Sequence, residues 1–222
     1  MYKITLIIAV WKRFKHLDNI LKAWLKQPEI DELIIWDNSG HYRPIMPIDE
    51  RIKIISISYN IGTWARMAAA NFARNDIVMI TDDDIIVQEG FVADLLESYD
   101  ENKLIGIWGR RFEGDYKSGF KKENEFRADK ISELTIVDFV IGLVHLTHRN
   151  NIIRIDFRDL MWTCYDLHFN GILKVTRPDI IRCIAPTTKW TQTPEETDEF
   201  ALNRHPDALK EKQILYEGYF KE

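Results

Sequence analysis

Cysteine is nearly absent: Cys164 and Cys183 are the only two in 222 residues. They are too few for a disulfide framework and form no close metal-ligand pair, which excludes a disulfide-stapled scaffold and a thiolate zinc module. Long hydrophobic runs are missing too. The apolar stretch Ile4-Thr5-Leu6-Ile7-Ile8-Ala9-Val10 is far too short to span a bilayer, and no small-residue cleavage site accompanies it. It reads as a buried strand, and the expectation is a cytoplasmic protein without integral membrane association. Charge of one sign is not in great excess. A formal net charge of -5 argues against wholesale wrapping of nucleic acid or of an anionic membrane, while allowing a local basic face. No repeat, low-complexity tract or linker interrupts the chain. Its length and 45% hydrophobic content suit a single domain with a buried core.

What the chain does have is alternation. Strands are expected at 4–10, 32–36, 52–58 and 77–81, with helices at 14–25, 64–74 and 90–99 between or after them. Leu17, Ile20, Leu21, Trp24 and Leu25 recur at helical spacing, and Gln27-Pro28 ends that helix. Strands alternating with helices imply parallel crossover units, hence an α/β fold with helices on both faces of a mostly parallel sheet. The second half is less regular. A strand is expected at 104–108, a long loop or distorted hairpin at 110–130, and a strand at 136–146 interrupted by Gly142. A helix at 164–173 and a strand at 180–184 follow. A polar tail at 194–215, broken by Pro206, carries a helix near 208–216. The expected division within one domain is a regular half (1–100), a less regular half (101–190) and a tail segment (191–222).

The strongest chemical signal is Asp82-Asp83-Asp84, directly after the apolar run 77–81. Adjacent carboxylates repel once ionised, so folding alone gives no reason to group them. At the carboxyl end of a parallel strand they stand where open α/β sheets bind ligands, and hard oxygens suit Mg2+ or Mn2+ bridging to a diphosphate. Upstream, Asn60-Ile61-Gly62-Thr63-Trp64-Ala65-Arg66 joins a tight turn to a helix start and an arginine, a pattern that favours phosphate but equally serves as an ordinary cap. Trp36-Asp37-Asn38 offers a carboxylate and an amide for a base or ribose, although an Asx turn is the plainer explanation. No glycine-rich signature stands at 9–13, which speaks against a nucleotidyltransferase.

In this order, these motifs resemble glycosyltransferases of the GT-A (Rossmann-like) fold, including the large family-two group, although Met67 follows Arg66 where that group has asparagine. The chain also resembles exostosin-like hexosaminyltransferases over residues 4 to 186. The likeness rests on Thr5-Leu6-Ile7 with Trp11 and Arg13, on 33–38, and on Ile105-Gly106 with Arg110-Arg111. It continues through Val140-Ile141-Gly142 and the helix Cys164-Tyr165-Asp166-Leu167-His168-Phe169-Asn170, in which Tyr165 replaces one of two acids. The resemblance implies a UDP-sugar or similar donor held by Ala9, Trp11, Arg13, Asp37, Asn38, Asn60, Arg66, Asp82, Asp83 and Gly142. It implies a DXD-type cation site for Mn2+ or Mg2+ at Asp84 and Asp82, and catalysis by Asp166 with Arg110. In the inverting family-two enzymes the matching acid is a base, whereas the exostosin-like enzymes retain configuration.

Arg110-Arg111, Lys117, Lys121-Lys122 and His148-Arg149 are candidates for a basic face near the acceptor, though most suit a solvated surface equally well. Such a face would suit an acceptor glycan or a hydroxymethylated pyrimidine in DNA. His205 and Trp190 are a further candidate ligand and lid anchor, with surface histidine and core tryptophan the plainer readings. The competing class is a non-catalytic nucleotide-sugar binding module.

Overall fold

The computed structural model describes residues 2–44, 49–112, 122–153, 164–193 and 208–221. Strand β1 (Ile4–Val10) is buried at every position, as a strand covered on both faces must be. Helix α1 (Leu17–Leu25) buries Leu17, Ile20, Leu21 and Trp24. The Trp24 indole donates to the Ile85 carbonyl at 3.1 Å and meets Phe91 edge-on. The helix starts three residues later than expected. Lys12 takes a left-handed φ of 64°, which side-chain-bearing residues rarely adopt, so the chain turns sharply before Phe14.

Strands β2 (Ile30–Asp37) and β3 (Ile52–Ser56) run parallel to β1 on one side. A short helix α2 (Ala65–Ala69), flanked by 3-10 turns at Gly62–Trp64 and Ala70–Phe72, stands where one continuous helix was expected. Strand β4 (Ile77–Thr81) pairs with the other side of β1. The sequence therefore moves outward from β1 through β2 and β3, then returns to β1's opposite flank. The crevice beyond the ends of β1 and β4 is the topological switch point, where open α/β sheets take ligands.

Strand β5 (Ile85–Val87), which the sequence did not announce, follows the aspartates at once, and α3 (Phe91–Leu96) follows it. The second half is built of short pieces: β6 (Lys103–Gly106), β7 (Trp108–Arg110), β8 (Glu125–Arg127), β9 (Thr135–Ile136), β10 (Phe139–Val140), β11 (Val144–His148), α4 (Asn150–Ile153), α5 (Tyr165–Thr176), β12 (Ile181–Ile184), β13 (Trp190–Gln192) and α6 (Ala208–Tyr219). The main sheet has eight strands in the order β3-β2-β1-β4-β11-β6-β12-β9. Strand β11 is antiparallel to both neighbours and the edge strand β9 is antiparallel to β12, so the sheet is mostly parallel, as expected, with two reversed strands, of which β11 lies beside β4. Strands β7 and β8 pair antiparallel, which gives the 110–130 hairpin expectation its ends; residues 113–121, with Lys117 and Lys121, lie outside the described residues, as does the 194–207 stretch with His205.

The single strand expected at 136–146 is three strands with a turn at Gly142. The buried Asn170 amide holds the chain just before that turn. Its Oδ1 accepts from the Val140 N–H and its Nδ2 donates to the Val140 carbonyl, both at 3.0 Å, so Val140's own backbone groups bond to a side chain instead of to another strand. Among the described residues no helix is long and apolar enough to cross a membrane.

Candidate active site at the sheet switch point

The end of β4 is fastened before the aspartates begin. The Asp82 N–H donates to the Leu143 carbonyl at 3.1 Å and the Thr81 hydroxyl to the same oxygen at 3.2 Å. From there the three carboxylates diverge. Asp82 pairs with the Arg66 guanidinium. Asp83 is gripped by Arg13, whose Nε donates at 3.3 Å to one oxygen while Nη2 meets the other. Asp84 accepts at Oδ2 from the Gln192 amide at 2.9 Å and from Arg13 Nη1 at 3.4 Å, while its Oδ1 is buried with no hydrogen-bond partner. Burial and the neighbouring carboxylates push Asp82 up to about 7 and Asp83 up to about 6, against the opposing pull of Arg66 and Arg13. Among the described residues no three His, Cys, Asp or Glu side chains converge as a ready-made metal cage. The acids are divided between two arginines instead.

Arg66 enters from α2 and is nearly enclosed, its side chain 8% exposed. Besides Asp82 it donates to the Gly142 carbonyl at 3.2 Å and to the Tyr165 hydroxyl at 2.9 Å, with its guanidinium carbon 4.8 Å from the Tyr165 ring centroid. Tyr165 in turn donates to the same Gly142 carbonyl at 2.9 Å. Burial pushes this phenol well up, so it stays neutral and serves as a donor. Gly142 has to be glycine here: a Cβ would meet the Tyr165 ring at 2.8 Å. Its N–H donates to Asp166 Oδ2 at 3.1 Å, and Asp166 Oδ1 accepts from the Leu167 N–H at 2.9 Å. Asp166 thus sits in the first turn of α5, where backbone N–H groups favour a carboxylate, oriented by the turn that Arg66 also holds. Asn170 locks α5 to β10 one helical turn further on. The structure therefore brings together Arg13, Arg66, Asp82, Asp83, Asp84, Gly142 and Asp166 from five separated stretches of sequence.

Other expected residues are occupied differently. Asp37 is fully buried, and its oxygens accept from the Ser39 N–H and hydroxyl, the Tyr42 N–H and the Ser56 hydroxyl. Burial opposes its charge, but those donors outweigh it and hold its pKa below the usual carboxylate range. This is the plainer Asx-turn arrangement. Asn38 donates to the Gly62 carbonyl at 3.0 Å, and Asn60 Oδ1 accepts from the Gly62 N–H at 2.7 Å, so both shape the turn that leads to Arg66. Gly62 supports it with φ 73°. Ala9 is a buried β1 residue opposite Trp36, and Trp11 carries the Lys12 ammonium 4.6 Å from its ring centroid. Arg110 stands on the small sheet, paired with Glu125 at 2.7 Å. Arg149 pairs with Asp76. Trp190 is buried, as core. Gln192 has no sequence signal at all; only the β13–β5 pairing delivers it to Asp84.

Comparison with known proteins gives these features a frame. The profile described as Glycosyl transferase family 2 matches residues 5–168. The chain belongs to glycosyl transferase family 2. The matched stretch takes in every charged residue just assembled and stops before β12 and β13, so in this family-2 chain Gln192 lies beyond the shared core. The fold is similar to the crystal structure of GalNAc-T7 with UDP, GalNAc and Mn2+, at TM-score 0.65 and 12% identity over 87% of this chain. The chain spans 44% of that protein, and at this identity the likeness shows the GT-A fold alone. A comparison with curated proteins finds no match.

Proposed function

We propose that this chain is a metal-dependent glycosyltransferase that moves a sugar from a nucleotide-sugar donor, a UDP-sugar, to an acceptor hydroxyl. The observation that carries the reading is the convergence on Gly142: the turn that accepts Arg66 on its carbonyl holds Asp166 on its N–H. One residue thus couples the buried arginine behind Asp82 to the carboxylate that this reading assigns to the reacting centre. Family membership supports the reaction class, and the ordered motifs from Trp11-x-Arg13 to the Asp166 helix support an exostosin-like hexosyl donor within it.

The roles follow from charge and access. Arg13 is 34% exposed and faces Asp83 and Asp84, so it can turn toward a diphosphate and offset the charge that develops on the leaving group. Arg66 acts from behind, holding Asp82 and the Gly142 turn in place. Asp166, oriented at both oxygens, either takes the acceptor proton or stabilises the oxocarbenium-like centre. The residues fit a hard divalent cation in one respect: Asp84 offers a buried carboxylate oxygen without a partner. Asp84 would hold it, with Asp82 as second expected ligand once Arg66 shares that acid. Mn2+ or Mg2+ bound there would supply Lewis acidity to the departing diphosphate.

The test is release of nucleoside diphosphate from a panel of nucleotide sugars, with and without Mn2+. One donor should turn over with Mn2+, and Asp84→Ala should lower the rate by about 10²-fold, the scale for losing one electrostatic stabiliser. Donor binding without turnover in any acceptor, glycan or hydroxymethylated DNA, would replace the enzyme by a binding module.

A further inference from the structure

We propose that Gln192 is the positioning residue for Asp84: it fixes one carboxylate oxygen so that the other stays open to a cation. The inference rests on the metal-dependent reading above. Delivery of Gln192 is built into the backbone. Strand β13 lies antiparallel against β5 with Trp190 opposite Val87, Thr191 opposite Ile86 and Gln192 opposite Ile85. Both ends are clamped, since the Gln88 N–H donates to the Lys189 carbonyl and the Thr193 N–H to the Asp84 carbonyl, each at 2.8 Å. Strand alternation puts Gln192 on the same side as the buried Trp190. The side chain therefore arrives beside Asp84 as a consequence of register.

The chemistry of the contact is selective. Gln192 Nε2 lies 2.9 Å from Asp84 Oδ2, within the normal hydrogen-bond range, whereas Arg13 Nη1 lies at 3.4 Å, beyond it. The firm partner is thus a neutral amide. Asp82 and Asp83 each face a guanidinium directly, so Asp84 is the acid whose charge is matched least. An amide orients it without cancelling that charge. A lysine at 192 would orient it and repel a cation, and an aliphatic side chain would let it rotate. Outer partners of this kind commonly change metal affinity by 10- to 100-fold when removed.

The experiment uses Mn2+ alone, with free Mn2+ counted by electron paramagnetic resonance, and urea unfolding as a check on folding. Wild type should bind and Asp84→Asn should not; equal behaviour of these two removes the metal reading and the inference with it. Given that difference, Gln192→Met should weaken Mn2+ binding about 10- to 100-fold at an unchanged urea midpoint. Gln192→Lys, which restores a donor but adds charge, should bind more weakly still. Wild-type Mn2+ affinity in Gln192→Met overturns the proposal while leaving the metal reading intact. Wild-type affinity in Gln192→Lys overturns the charge argument. Should the methionine variant fail to fold, Gln192→Asn, which withdraws the amide by one methylene, must show the weakening instead.

Discussion

Arg66 faces Asp82 in a nearly closed slot, and Arg66→Met empties that slot of charge while keeping an unbranched side chain. The variant loses the ion pair and the hydrogen bonds to the Gly142 carbonyl and the Tyr165 hydroxyl. Breaking one side of a buried pair costs about 3–5 kcal/mol, chiefly because the surviving charge is stranded. The Arg66 Nε is itself without a partner, so the native pair is imperfect and the lower end, about 3 kcal/mol, is expected. The cost depends on pH with a definite sign. Asp82 already stands up at about 7 through burial, and loss of its cation raises it further. The penalty is therefore fully present above that raised value and fades as pH falls through it, because the protonated acid no longer needs Arg66. Urea unfolding should show about 3 kcal/mol lost at pH 8.5 and less than about 1 kcal/mol at pH 5. Arg66→Met/Asp82→Asn should recover most of the loss at pH 8.5. A single variant that is equally destabilised at both pH values, or a double variant no better than the single, would refute the reasoning.

His145 is fully buried, with Nε2 donating to the Val140 carbonyl at 3.2 Å and Nδ1 unpartnered. Burial lowers its pKa to about 4 from 6.5. Between those values the unfolded chain takes up a proton that the folded one refuses, so the stability advantage of wild type over His145→Gln should shrink by up to about 3 kcal/mol from pH 7 to pH 4 in matched urea titrations. Gly142→Ala drives a Cβ into the Tyr165 ring and should lower turnover by more than it lowers the urea midpoint, because it displaces the N–H that orients Asp166. Asn170→Ala strands the Val140 N–H, while the carbonyl keeps His145 Nε2 as a donor, and should cost about 1–3 kcal/mol in thermal or urea unfolding; a loss below about 0.5 kcal/mol would mean that water replaces the amide.

The parts legible in the sequence share a physical reason. Strands β1, β2 and β4 are buried almost throughout, so their residue types announce them without reference to any partner. The aspartates stood out for the opposite reason, since nothing local favours three like charges together. Strands β7 to β10 are two or three residues long and exist only through pairing with distant segments, which leaves no periodic signal to read. Asp37, Asn38 and Asn60 show the same limit at the site. Their residue types suit a ligand and a turn equally well, and only the positions of Ser39, Tyr42, Ser56 and Gly62 show that turns claim them. Tyr165 was visible as a departure from the two-acid helix, yet its neutral bridge between Arg66 and Gly142 emerges only in three dimensions.

The β5–β13 pairing joins neighbours separated by more than a hundred positions, as the Asp84–Gln192 contact at a separation of 108 makes plain. Contacts of that range form late, because a long loop must close before they reward it. A chain emerging from the ribosome can therefore lay down β1 to β4 and their aspartates well before Asp84 acquires its amide. Asp84 passes through synthesis without its amide partner, and this corner of the fold is complete only when the segment around residue 192 has docked.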